Sequence, residues 1–186
     1  MVLISKTELD EKQDFYINEI AEGKIIIYPT DTIYGIGCDA TNNEAVKKVR
    51  EIKQRKDMPF TIIPPSLEWI KENCELNSNA KEIIKKYPGA THVMRLKNKK
   101  AIAEQVNLGL DTIGIRVPQH WFTKTLQKTN KPIVTTSVNK TGQPYMTSVN
   151  DLDEDIWPDY IFYEGEKKGK PSKIFDVTGK KVDVKR

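Results

Sequence analysis

Cysteine and histidine are scarce, with two of each in 186 residues. Cys38 and Cys74 form neither a Cys-x-x-Cys pair nor a disulfide framework, which sets aside redox and disulfide-scaffold classes. His92 and His120 lie far apart with no cysteine nearby, which argues against a structural zinc site. Long apolar runs are missing as well. No window approaches the ~18 apolar residues of a membrane-spanning helix. The opening stretch, Met1 to Asp10, turns acidic before it could serve as a secretory signal. Strong net charge is also absent: 30 Lys and Arg face 26 Asp and Glu, a formal +4. Together these absences point to a reduced, cytoplasmic protein that does not engage a membrane.

What is present is a chain long enough to bury a core without disulfides or metals, with Ile and Val clusters from end to end. The length predicts one domain spanning residues 1–186. Lys6 to Ala21 reads as one helix, capped at Thr7 with Asp10 three residues on and stopped at Gly23. Lys24 to Tyr28 is a nearly continuous β-branched run, as expected of a buried strand. Asn42 or Asn43 caps a helix that places Ala45, Val46, Val49 and Ile52 on one face. Phe60 to Ile63 is a strand stopped by Pro64 and Pro65. Ser66 and Ser78 cap two further helices, the second ending before Pro88-Gly89. Strands follow at Thr91 to Leu96, Thr112 to Val117 and Ile133 to Ser137, with a helix from about Trp121 to Lys128 between the last two. Three short strands close the chain at Tyr160 to Tyr163, Lys173 to Val177 and Lys181 to Val184. This irregular alternation predicts one α/β sheet domain with helices on its faces and some antiparallel strands near the end.

Several stretches carry chemistry. Lysines and arginines cluster at Lys47 to Lys56, Arg95 to Lys100 and Lys167 to Lys173. Such clusters suit nucleotide phosphates or RNA, and solvated surface lysines explain any one of them equally well. Tyr28 to Ala40 packs threonines, an aspartate, a tyrosine and two glycines between a strand and a helix. It is neither a P-loop nor a dinucleotide fingerprint; a ligand-binding turn and an ordinary connection weigh equally here. Lys53 and Arg55 end a helix, where they complement its dipole or clamp phosphate; composition favours the cap, on an exposed helix end. Ser137-Val-Asn139 leaves the carboxyl end of a strand, a place for ligands in α/β sheets as well as for turn chemistry. Arg116 lies in an apolar strand and must reach a partner, because a buried unpaired guanidinium is costly; this hints at an anion. His92 reads as structural, and His120, Trp69 and Trp121 read as residues of amphipathic helices.

The order of these segments is itself informative. Lys24-Ile-Ile-Ile-Tyr-Pro-Thr-Asp-Thr-Ile-Tyr-Gly-Ile-Gly37 comes first, then Ile52-Lys-Gln-Arg55 and Tyr87-Pro-Gly-Ala-Thr91. Asp111-Thr-Ile-Gly-Ile-Arg-Val-Pro118 and Thr136-Ser-Val-Asn-Lys-Thr-Gly142 follow. Over about residues 20–186 this resembles the YrdC-like family, whose characterised members are threonylcarbamoyl-AMP synthases. The resemblance implies an open, twisted mixed sheet with helices packed on it and a concave positive cavity. It implies a nucleotidyltransferase that joins L-threonine, bicarbonate or CO2 and ATP into threonylcarbamoyl-AMP and pyrophosphate, with Mg2+ accompanying the ATP. A downstream transferase would pass the group to tRNA, and RNA is itself a partner to test.

Carried over residue by residue, Lys53, Arg55, Ser137 and Asn139 would form the catalytic set. Thr32, Arg116, Ser137 and Ser172 would hold L-threonine. Lys53, Arg55, Thr112, Asn139, Thr147 and Arg186 would contact the nucleotide, and no protein-held metal is implied. Met58 stands where many relatives carry a polar or basic residue, and Ile63 replaces a histidine of some relatives. A non-catalytic RNA-binding paralogue is the alternative. A hydrogenase-maturation carbamoyltransferase is disfavoured, because those chains are much longer and carry zinc-finger-like segments.

Overall fold

A computed structural model describes residues 1–179 and 181–185, with Asn79 described by its backbone only. The strands are β1 (Val2–Ile4), β2 (Ile26–Tyr28), β3 (Gly35–Gly37), β4 (Thr61–Ile63), β5 (Thr91–Arg95), β6 (Thr112–Arg116), β7 (Ile133–Ser137), β8 (Tyr160–Phe162), β9 (Ile174–Asp176) and β10 (Asp183–Val184). They join in one mixed sheet in the order β1-β8-β2-β3-β7-β4-β6-β5-β9-β10. The pairs β1–β8, β2–β8, β4–β6 and β5–β9 are parallel and the others antiparallel. The helices are α1 (Lys6–Glu11), α2 (Gln13–Ala21), α3 (Asn43–Lys53), α4 (Leu67–Asn73), α5 (Ser78–Lys86), α6 (Glu104–Asn107) and α7 (Trp121–Gln127). None of them is long and apolar enough to cross a membrane.

The helices divide between the two faces of the sheet. Residues of α3, α4, α5 and α6 pack with Ile27, Ile36, Ile62, Val134 and Ile115 in the larger core. Residues of α1, α2 and α7 pack with Ile26, Tyr28, Ile63 and Ile133 in a smaller one. The smaller group covers only part of its face. The part left bare, over the ends of β4, β6 and β7, becomes the cavity described below.

Most expected elements are present within one or two residues, the usual uncertainty of an element's end. Asn42 and Ser66 cap α3 and α4 as their sequence suggests. Four points differ. The single helix expected from Lys6 to Ala21 is two, broken at Lys12, whose φ of −125° and ψ of 33° are not helical. Its cap is Ser5 rather than Thr7: Ser5 Oγ accepts from Glu8 N–H and the Glu8 carboxylate accepts from Ser5 N–H, a reciprocal pair that needs a glutamate at the third position. Asn77, not Ser78, caps α5. Finally, the stretch expected to be all turn between β2 and α3 contains β3. Its Gly37 packs so closely on β7 that a Cβ would stand 1.7 Å from the Val134 carbonyl oxygen. Two glycines in three residues conceal a strand whose reason for existing is that contact.

Candidate functional site

The bare part of the sheet floors a cavity of about 210 Å3. Register builds the floor. Thr61 of β4 stands opposite Thr135 of β7 and Gly114 of β6, and Thr91 of β5 stands opposite Arg116. A Cβ on Gly114 would meet Thr61 Oγ1 at 2.7 Å, so glycine keeps the floor open. Thr32 and Tyr34 form one side, Arg55 and Met58 a second, and Pro171 and Ser172 a third. Hydroxyls and two guanidiniums dominate the lining, and no Asp or Glu of the described residues lines it.

Arg116 is 7% exposed. Its Nη2 donates to Asp31 Oδ1 at 2.6 Å and to Thr32 Oγ1 at 2.9 Å, and its Nε donates to the Gly89 carbonyl at 3.0 Å. The partner this residue required is thus a carboxylate of the same chain, which compensates the buried charge. Asp31 also accepts from Gln119 N–H at 3.1 Å, and Thr30 Oγ1 donates to the Ile33 carbonyl at 2.6 Å. The Pro29-Thr-Asp-Thr32 turn is therefore wound around the arginine it holds under the cavity.

Lys53 is not on an exposed helix end. It is 2% exposed, and its ammonium donates to the Ser137 carbonyl at 2.5 Å, the Asn139 carbonyl at 2.8 Å and Asn139 Oδ1 at 3.0 Å. Thr141 returns the contact, its N–H and hydroxyl each donating to the Lys53 carbonyl at 2.9 Å. Ser137 Oγ donates to Asn139 Oδ1 at 2.6 Å. An ammonium has three hydrogens, and here three protein oxygens receive them. The residue knits the end of α3 to the Ser137–Asn139 turn. Burial, with the nearby Arg55 charge, lowers its pKa to about 7. Arg55, by contrast, reaches the cavity. Its Nη1 lies 3.4 Å from Thr136 Oγ1 and its Nε and Nη2 donate to the Met58 and Pro59 carbonyls.

The remaining sequence-derived candidates separate. Ser137 and Ser172 line the cavity with Thr32, and Ser172 Oγ lies 3.3 Å from Thr91 Oγ1. Asn139 sits behind Ser137, its amide donating to the Gln143 carbonyl at 2.6 Å. Thr112 begins the strand that Arg116 ends, four residues and roughly 13 Å away at ~3.3 Å per residue. Thr147 Oγ1 donates to Asp151 Oδ2 at 2.6 Å, in the cap of a short 3-10 turn. Neither Thr112 nor Thr147 lines the cavity. Arg186 lies outside the described residues.

Sequence reasoning passed over Thr61, Thr91, Thr135 and Thr136. Their signal was threonine set inside apolar predicted strands, as in Phe60-Thr-Ile-Ile63 and Ile133-Val-Thr-Thr-Ser137. Tyr34 was quoted without a role. Its hydroxyl donates to the Gly165 carbonyl at 2.6 Å and accepts from Glu164 N–H at 3.1 Å, tying down the segment that leads to Ser172. Burial pushes its pKa up to about 12, so it holds that segment as a neutral phenol. His120 caps α7 through its ring and meets Glu164 at 2.9 Å. Among the described residues no three His, Cys, Asp or Glu side chains are grouped as a metal ion would need.

Comparison with known proteins gives the chain its relatives. A model of the Sua5/YciO/YrdC family, described as telomere recombination, matches residues 18–186. A Methanocaldococcus jannaschii relative, provisionally named a threonylcarbamoyl-AMP synthase, is 35% identical over 190 residues, 97% of this chain and 89% of its own length. A Vibrio campbellii threonylcarbamoyl-AMP synthase is 30% identical over 171 residues, 87% of this chain and 91% of its own. The crystal structure of Pyrococcus abyssi Sua5 complexed with L-threonine superposes on all of this chain with a TM-score of 0.87 at 28% identity. This chain spans 56% of that longer protein.

Proposed function

The chain belongs to the Sua5/YciO/YrdC family, and from that premise we propose that it is a threonylcarbamoyl-AMP synthase, a nucleotidyltransferase acting on L-threonine, bicarbonate and MgATP. The observation that carries this reading is the donor-rich cavity: a guanidinium anchored from behind by Asp31, hydroxyls around it, and a second guanidinium, Arg55, at the side. Arg116 with Thr32, Ser137 and Ser172 takes the amino acid, its carboxylate toward the anchored guanidinium. Arg55, with the Ser137–Asn139 turn, takes the triphosphate. Lys53 acts on the nucleotide through that turn, which it holds in place, more than by direct contact. Mg2+ travels with the ATP as part of the substrate, held by phosphate oxygens and water.

The chemistry needs no covalent enzyme intermediate. The threonine amine adds to CO2 derived from bicarbonate and loses a proton, giving a carbamate. A carbamate oxygen attacks the α-phosphorus, the α–β phosphoanhydride bond breaks, and pyrophosphate leaves with its electron pair. The protein supplies proximity and positive charge where negative charge gathers. The product is a labile mixed anhydride, so a transferase acting on tRNA follows it. The same reading puts the reaction in the cytoplasm, where ATP and tRNA meet.

The test is pyrophosphate release from ATP and bicarbonate, with L-threonine, with L-serine and with neither. Threonine-dependent release supports the synthase. No release from folded, ATP-binding protein, together with RNA binding that falls steeply with salt, would replace it with a non-catalytic RNA-binding paralogue.

A further inference from the structure

Arg50 shares the buried face of α3 with Val46 and Lys53 and is 7% exposed. Among the described residues no carboxylate forms an ion pair with it; its acceptors are backbone carbonyls. Nε donates to Gln105 at 2.6 Å, Nη1 to Arg55 at 3.0 Å and Met58 at 3.1 Å, and Nη2 to Val106 at 3.4 Å. A buried charge is costly unless its hydrogens are received in this way. The guanidinium fork joins two separate segments, α6 and the turn from Arg55 to Met58. The compact ammonium of a lysine has no such span.

What the fork holds sets it apart from ordinary packing. Arg50 and Arg55 are bonded twice: Arg55 N–H donates to the Arg50 carbonyl at 3.0 Å, and Arg50 Nη1 returns a bond to the Arg55 carbonyl. The Met58 carbonyl receives both side chains, Arg50 Nη1 at 3.1 Å and Arg55 Nε at 3.2 Å. Both guanidiniums lie over the buried Phe60 ring, 4.5 Å and 5.1 Å from its centroid. Gln54, just before Arg55, takes a φ of 49° and a ψ of 41°. A non-glycine residue stays in that left-handed region only where its surroundings fix it. The seat of the Arg55 guanidinium is thus made of groups that Arg50 also holds. Arg55 lines the threonine-rich cavity and Arg50 does not.

We propose that Arg50 is a positioning residue for the nucleotide: by clamping the turn from Arg55 to Met58 it aims the Arg55 guanidinium into the cavity, without touching substrate itself. The identity of the ligand, ATP, rests on the synthase reading; the clamp is read independently of it.

The test follows the arginine Nε–H signals of the 15N-labelled full chain by NMR, beside the kinetics. In the wild type MgATP should shift the Arg55 signal and leave that of Arg50 in place. An Arg50 shift as large as that of Arg55 would make it a contact residue and overturn the proposal, even where no Arg50 variant folds. Arg50→Lys keeps the charge and removes the fork. It should raise the KM for ATP about fivefold or more and leave the KM for threonine within about a factor of two. Arg55 Nε–H exchange with solvent should become about tenfold faster in the same variant. Arg50→Met should match Arg50→Lys, because the fork and not the charge does the positioning. An unchanged KM for ATP in Arg50→Lys, or equal rises in both KM values, would overturn the proposal. A wild type that shows neither an Arg55 shift nor threonine-dependent release would defeat the synthase reading instead. Arg50 is then judged on Arg55 Nε–H exchange alone: faster exchange in Arg50→Lys upholds the clamp and unchanged exchange overturns it.

Discussion

The central strands carry two different proteins on their two faces. In β4, Thr61 faces the cavity and Ile62 the larger core. In β7 the same division separates Thr135 from Val134, and in β6 Arg116 from Ile115. On the core face α3 to α6 seal the sheet, and apolar burial of ~25 cal/mol per Å2 supplies stability. On the other face α7 stops short, and hydroxyls that add little to stability stand ready to bind. The period of two along a strand is what allows chemistry and stability to be changed almost separately. The difference is sharpest at Arg116, a buried charge on the cavity face that Asp31 compensates.

Breaking that ion pair should give the largest effect. Arg116→Leu is expected to abolish threonine-dependent pyrophosphate release, by ~1000-fold or more. It should also destabilise by about 3–5 kcal/mol, because Asp31 is left without its charge partner. Adding Asp31→Asn to that variant should recover much of the stability in urea denaturation and none of the activity. Recovery of activity in the double variant would mean that Arg116 only supports the fold. The direct test of the two faces comes next. Ile62→Ala should cost about 2–5 kcal/mol and leave turnover per folded molecule within a factor of two. Thr61→Val, one residue away, should cost less than ~1 kcal/mol and cut turnover about tenfold or more. Similar profiles for the two variants would dissolve the comparison.

Lys53 sharpens it further, because it is a charge on the buried side with no carboxylate partner among its hydrogen bonds. Its pKa is lowered to about 7, against ~10.4 for an unfolded lysine. Between these values the unfolded chain holds the extra proton, so this residue's contribution to stability rises with pH from about 7 to about 10. The wild type should therefore gain on Lys53→Met as pH goes from 7 to 9, by at most about 1.4 kcal/mol per pH unit. Urea midpoints at three pH values measure the gain, and a flat difference would place the lysine's pKa outside that window.

Much of this architecture was legible. Apolar β-branched runs marked β2, β4 and β7, and Asn42 and Ser66 announced their helices, because those signals are local. Arg116 announced a partner, since a guanidinium within Ile113-Gly-Ile-Arg-Val117 has no local way to be satisfied. What escaped notice was set by distant neighbours. β3 exists because Gly37 packs on the Val134 carbonyl of β7 and Gly35 against the Tyr28 ring of β2. Lys53 reads as a dipole cap until the Ser137–Asn139 turn folds over it. At Ser137-Val-Asn139 the turn reading holds: Lys53 pins the turn through the Ser137 carbonyl, and Ser137 lines the cavity.

The smallest expected effect falls on Thr112 and Thr147, which the family resemblance places beside the nucleotide. Thr112 occupies the end of β6 away from Arg116, and its carbonyl accepts from the Asn107 amide at 3.1 Å. Thr147 spends its hydroxyl on Asp151. Thr112→Ala should leave the KM for ATP within a factor of two, because the carbonyl it uses is retained. Thr147→Ala removes one hydrogen bond from an exposed cap, worth about 0.5–2 kcal/mol of local stability, and should likewise spare ATP use. A KM for ATP raised tenfold by either change would bring that residue to the nucleotide. It would show that the segments move on binding, and that the ligand-free arrangement of hydroxyls marks where threonine sits better than where adenosine does.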